Sequence, residues 1–296
     1  MKIYDFDVED EIQKIEDNLQ NVERIKNSFA DNTSEYRKFT RDINLDFSVL
    51  SDCIESYERS LLIDVYTYAE QIVKNFYYEL LEKDTAQNIY TRNFVNKKLN
   101  AETFSPNVNY ECLERSIKNE LCSKFKFMIN KNREEILKYD SLIKDRHRYA
   151  HRGVYQSTFE QYRDVIKAEK YITMELVMIV NQGIEYRIDY QNSWEEIGTQ
   201  INKFCALYKQ FNVKKNKELK RKLIKRIKLL RSKTRNFYRK YSEYIVDCIL
   251  FDELRTQFIR VNTMDLRFTK SFSIVDDFYN SIINNKIAIS FKEKRQ

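Results

Sequence analysis

The sequence predicts an all-α fold, and three observations carry that prediction. The chain has 296 residues but only 3 Gly and 1 Pro, the residues on which turns and strand-linking loops depend. Apolar residues recur at spacings of three and four in one segment after another, the period of a helix with one buried face. An apolar fraction of 42% beside a charged fraction of 33% is that of a globular chain able to bury a core. With 21 Tyr and 19 Phe, that core is bulky.

Residues 1–47 read as an N-terminal helical segment. Val8, Ile12, Ile15, Leu19, Val22 and Ile25 form its stripe, acids come first and bases later as the helix dipole favours, and Asp31-Asn32-Thr33-Ser34 breaks it before a short helix over 34–44. The strongest helix follows over 47–83, where Leu62, Val65, Ala69, Ile72, Val73, Phe76 and Leu80 make a stripe without Gly or Pro. Glu70 lies beside this stripe, in line with Tyr66, Val73 and Tyr77, where a buried carboxylate needs a partner or a proton. A flank position reaching solvent is the plainer reading of the same residue. Residues 85–109, with six Asn and Pro106, read as a long connection of the kind that often serves function.

A helix is expected over 110–130, through Leu113, Ile117, Leu121, Phe125 and Met128. Another is expected over 134–151, through Ile136, Leu137, Tyr139, Leu142, Ile143, Tyr149 and Ala150, and Gly153 is its natural stop. Ser157 and Glu160 have the spacing of a capping box, which opens a helix through Phe159, Tyr162, Ile166, Ile172, Leu176, Val177 and Val180. Residues 48–190 thus make a helical bundle, and 191–296 a helical C-terminal extension. Within the extension a helix is expected over 194–211, through Trp194, Ile197, Ile201, Phe204 and Leu207. The tail 241–296 has no firm assignment.

The charge is unevenly placed. Residues 213–240 hold 14 Lys or Arg against Glu218 alone. With a net charge of +7 for the chain and +13 for this segment, the remainder carries −6. Leu219, Leu223, Ile227, Leu230 and Phe237 give the segment an apolar stripe. A solvated helix mixes charge signs along its open face, so a basic amphipathic helix here points to polyphosphate, most simply nucleic acid. Docking on the acidic remainder of the chain is the competing reading. A membrane-surface helix lacks the Trp expected at an interface. The five cysteines, Cys53, Cys112, Cys122, Cys205 and Cys248, are odd in number and include no C-x-x-C pair, which predicts reduced, buried thiols and a cytoplasmic setting. Residues 1–10 lack a leader's apolar run, and no window approaches the ~18 apolar residues of a spanning helix.

Both histidines of the chain fall in Asp145-Arg146-His147-Arg148-Tyr149-Ala150-His151-Arg152. Spaced by four, they share a helix face. Three readings compete. As a metal site the pair lacks the Glu of H-E-x-x-H and a nearby Cys, and three arginines oppose a dication. As a structural feature it is a basic helix end, favoured by the dipole. As metal-free phosphoryl chemistry, His151 takes the 2′-OH proton of RNA and Arg146 holds charge building on the phosphate. Neighbouring Arg146, Arg148 and Arg152 disfavour a protonated His151. Arg146 and His151 lie about 140° apart on an ideal helix, so two copies about a two-fold axis are needed to bring such groups to one phosphate.

Here the chain resembles a family. Arg146-x4-His151 is similar to the R-x4–6-H signature of the HEPN superfamily of helical ribonucleases, and Leu142 to His151 resembles its L-V-x-x-R-N-x-x-A-H context, with His147 in the polar position. Tyr66-x3-Glu70 resembles the Y-x-x-x-E helix of the RiboL-PSP type. The likeness covers about residues 48–190, and Arg152 stands where many relatives have glycine. It implies a HEPN-like bundle of four to five helices, a homodimer through the Arg146–His151 region, and a metal-independent endoribonuclease without cofactor, of the toxin or phage-defence kind. Arg146 and His151 are then catalytic, His147 auxiliary, and Glu70 close to the motif. RNA is the expected partner, met by Arg148 and Arg152, and the family leaves room for an antitoxin or regulatory protein; the resemblance does not explain 191–296, where the charge of the basic helix makes Lys220, Arg221, Lys222, Lys225 and Arg226 the candidates for added RNA grip. The family also contains inactive binding modules.

Overall fold

The computed structural model describes residues 2–3, 6–81, 97–99, 103–153, 156–214 and 216–241. The tail 242–296, Cys248, most of the connection expected at 85–109, and the side chains of Trp194, Ile201 and Cys205 lie outside the described residues. The fold is all-α. The only pairing of extended chain among the described residues is two residues long: β1 (Lys2–Ile3) against β2 (Phe6–Asp7), antiparallel. The first residues are therefore not helical, as the reading of 1–47 had them. The chain divides into two compact units, 1–183 and 184–296.

In the first unit, α1 (Val8–Asp31) starts where the Asp7 carboxylate accepts from the N–H groups of Glu9 and Asp10, satisfying donors that no helical carbonyl reaches. Its Ile12, Ile15, Leu19 and Val22 are buried as the spacing predicts, while Ile25 is exposed. After α2 (Thr33–Asp42), Asn44 takes a positive φ of 57°, a conformation its short polar side chain tolerates. Asp46 then caps α3 (Phe47–Leu80). This helix is the centre of the unit. Residues 72–78 are all buried, so at that level other chain surrounds the helix and no face is left to water. Polar bonds at the rims fix the neighbours: Lys26 to Glu58, Arg163 to Glu23 and Lys170 to Glu16.

The next helix is shorter than its sequence pattern. α4 (Tyr110–Ser116) continues as one wide turn, Ile117–Leu121, in which the Cys122 N–H reaches back five residues to the Ile117 carbonyl. Beyond it the backbone is irregular up to Glu134. Helical bonds are replaced there by side chains of α6. Glu175, buried, accepts from the N–H groups of Met128 and Ile129 and from the Tyr110 hydroxyl. Gln182 both donates to and accepts from the Lys126 backbone. Met128, expected in a core stripe, is exposed, as are Leu137 and Val177.

α5 (Glu134–Arg152) ends at Gly153, whose φ of 66° is the left-handed stop expected of it. The next helix, α6 (Gln161–Lys214), begins later than the capping box predicts. The Ser157 hydroxyl does not cap it but donates to the buried Asp145 carboxylate, 2.5 Å away. Nor does α6 break near 190, where the composition changes; it runs on for 54 residues. Gly183 sits where a Cβ would meet Leu80 Cδ1 at 2.6 Å, so the Leu80 side chain fills the space beside it. Cys122 is buried and Cys112 partly so, but Cys53 is exposed on α3, against the expectation of buried thiols.

In the second unit, residues 184–214 of α6 and α7 (Lys217–Tyr241) form an antiparallel helical pair. Ile197, Phe204, Tyr208, Leu223, Ile227, Leu230, Phe237 and Tyr241 are buried, and the Tyr190 ring packs on Phe237 and Tyr241 at 5.0 and 5.2 Å. The stripe expected in the basic segment is thus the inner face of this pair. No helix among the described residues is long and apolar enough to cross a membrane.

Candidate functional site

The last two turns of α5 carry the motif. Leu142 and Ile143 face the core, and Arg146, one turn further along that stripe, reaches its rim half-buried. There the guanidinium lies 4.1 Å above the ring of Tyr66 on α3. The ring face attracts the cation without accepting a conventional hydrogen bond. Its N–H donors lie in the guanidinium plane, and among the described residues they make no hydrogen bond or ion pair. Arg146 is thus held in place with its donors unspent.

His147 and His151 are both exposed, and their ring centroids are 4.4 Å apart, as residues four apart on a helix should be. The helix is regular through Arg152, so the expected separation of Arg146 from His151 around the axis holds: the arginine faces α3, the imidazoles face water.

The turn after the motif is fixed by Asp145, which is 2% exposed. One of its oxygens accepts from Arg148 at 3.1 Å and the other from Ser157. Arg148 donates also to Gln156 at 2.7 Å. Arg148, expected as an RNA contact, is therefore partly engaged in holding the turn, whereas exposed Arg152 has no partner among the described residues. Glu70 lies one turn beyond Tyr66, half-buried, and binds the buried Lys74 at 2.8 Å. The partner a sheltered carboxylate needs is thus supplied from its own helix, not from the motif.

Beneath the motif the structure brings together residues that the sequence reading passed over. Tyr139, two turns before Arg146, is fully buried and donates to the Val108 carbonyl at 2.7 Å. Burial first, then the nearby Glu169, Asp140 and Tyr66, raise its phenol well above the usual range. Glu169 on α6 is also fully buried, and neither of its oxygens has a hydrogen-bond partner among the described residues. Burial raises its carboxyl well above the ordinary 4.5. A signal for Glu169 existed: it is a carboxylate in register with Tyr162, Ile166, Ile172 and Leu176 on the apolar stripe. Asp145 and Ser157 gave none, because their pairing joins two sides of a turn.

An open pocket of about 780 Å³ lies elsewhere in this unit, lined by Ile12, Tyr68, Thr173, Met174, Val177 and Met178 among others. It includes none of the expected catalytic residues. Among the described residues no three His, Cys, Asp or Glu side chains gather as metal ligands would.

Of the cations expected on α7, Lys220, Arg221 and Lys225 are exposed and have no acidic partner among the described residues. Lys222 pairs with Glu218 at 2.7 Å, and Arg226, half-buried, donates to Gln200 on α6. No family model, no curated protein and no solved structure matches this chain.

Proposed function

We propose that the chain is a metal-independent endoribonuclease with a HEPN-like bundle, acting as a homodimer through the Arg146–His151 region. A toxin or phage-defence role, in the cytoplasm, goes with that reading. The observation that carries it is Arg146 immobilised on Tyr66 with its donors unspent, on the same helix end as two exposed, adjacent imidazoles.

His151 takes the proton of the 2′-OH, and the 2′-oxygen attacks phosphorus. The bond from phosphorus to the 5′-oxygen breaks, leaving a 2′,3′-cyclic phosphate and a 5′-hydroxyl. His147 returns a proton to the departing oxygen, and the Arg146 fork binds the phosphate oxygens as charge builds on them. Since α5 directs Arg146 and His151 to different sides, two copies face to face supply one phosphate with a guanidinium from one and an imidazole from the other.

RNA decay measured with wild type, His151→Ala and Arg146→Ala tests this. Wild type should cut in the presence of EDTA and leave cyclic phosphate ends. Both variants should lose cleavage by a factor of at least about a hundred, while keeping their helicity and dimeric mass. Equal cleavage by all three would overturn it.

A second reading has one observation in its favour. The Arg146–Tyr66 contact is also a sound packing contact between α3 and α5, as a non-catalytic module that binds RNA or protein would use. In that case wild type cuts nothing, and Arg146→Ala lowers thermal stability alone.

A further inference from the structure

Ten of the cations of α7 fall into two sets, and exposed Lys220 stands outside both. One set is engaged, three cations by carboxylates and Arg226 by an amide oxygen. Lys233 pairs with Glu196 and Lys240 with Asp189, both on α6, Lys222 pairs with Glu218, and Arg226 donates to Gln200. The other set is Lys217, Arg221, Lys225, Lys228, Arg235 and Arg239. All six are exposed, and none has an acidic partner among the described residues. At ~100° per residue they fall within about 80° of one another around the helix. Ser232 is the one uncharged position in the column. It runs about 33 Å, with a cation every 6 Å or so where consecutive.

The column lies roughly 160° around the helix from the buried stripe of Leu223, Ile227, Leu230, Thr234, Phe237 and Tyr241. It is thus the ridge turned away from α6, and the acids of α6 lie along one flank.

We infer that this ridge binds the phosphodiester backbone of a nucleic acid, through charge and without reading bases. Pairing with acids of the second unit itself accounts for the flank cations and leaves the ridge without a carboxylate among the described residues. A lipid surface fits less well, because an interfacial helix needs its apolar face free and here that face is buried. A linear row of like charges at this spacing suits a linear polyanion, whose counterions it displaces. The assignment is independent of cleavage and is measured on the full chain carrying His151→Ala, so its failure and that of the ribonuclease reading are told apart.

The experiment is salt-dependent binding to a single-stranded RNA 20-mer and to the same sequence as DNA, with an anionic phosphatidylserine vesicle in parallel. Removing three ridge cations (Arg221→Gln, Lys225→Gln, Lys228→Gln) should flatten the slope of log affinity against log salt by about 2 and weaken binding on the order of a hundredfold near 0.1 M salt. Removing three flank cations (Lys222→Gln, Lys233→Gln, Lys240→Gln) lowers the net charge equally and should leave the slope within about 0.5 of the parent. Arg221→Lys with Arg235→Lys and Arg239→Lys should bind as the parent does, and RNA and DNA should bind within a factor of about 3, since each phosphate carries the same charge. Circular dichroism checks that α7 survives in each variant. Equal losses from ridge and flank, no binding by the parent, or capture by vesicles but not by RNA would each overturn the inference.

Discussion

Tyr66 is the residue on which the reading of the motif most depends. An arginine on a helix end samples many rotamers; a ring 4.1 Å from its guanidinium removes most of that freedom without occupying its donors. Tyr66→Phe keeps the ring face and should keep RNA cleavage within about twofold. Tyr66→Ala should lower it roughly tenfold, the scale of one such contact, through kcat and not KM, since the guanidinium meets charge that develops during reaction. Loss in KM alone would make Tyr66 a binding residue and remove its positioning role. Asp145 acts one residue away on the backbone: its bonds to Arg148 and Ser157 hold the chain as it leaves the histidines.

At the scale of elements, the irregular segment after α4 is instructive. Residues 122–133 give up helical bonds and depend on α6 for replacements. The Glu175 carboxylate takes two backbone N–H groups and the Tyr110 hydroxyl, and burial first, then this bond, raises the Tyr110 phenol far above its usual range. Glu175→Ala would strand those donors in a site that is 3% exposed and should destabilise the first unit by about 3 kcal/mol, read from urea unfolding. Hydrogen exchange should quicken first at Met128 and Ile129. Unchanged exchange there would mean that the segment is held by its apolar contacts, such as buried Phe125, alone.

At the scale of the molecule, two carboxyls pull the pH dependence of stability in opposite directions. Glu135, bound first by Arg133 and also by Lys167, is lowered to about 2. The stability it contributes is present above its ordinary 4.5 and is lost as pH falls toward 2. Glu169 is raised, so the folded state holds a proton that the unfolded chain has released, and stability falls as pH climbs above about 4.5. Glu169→Gln removes the second slope. Urea midpoints from about pH 5 to 8 should decline for wild type and stay flatter for the variant. Parallel curves would show that Glu169 finds a charge partner when it ionises.

The sequence by itself determined the helices and the motif. Scarce Gly and Pro with a 3.6-residue period are local properties, and they located α1, α3, α5 and the inner stripe of α7. The pairing of His147 with His151 and the stop at Gly153 follow equally from spacing along one helix. Tertiary structure alone decided what depends on contacts between distant residues. It placed Tyr66 under Arg146, tied Ser157 to Asp145 so that α6 starts late, ended α4 short because Glu175 and Gln182 satisfy the backbone that follows, and divided the cations of α7 between acids of α6 and open water. Periodicity reports which face of a helix is apolar; which side chain waits opposite a polar or charged one is set by packing, and one sequence read along its length carries no record of that.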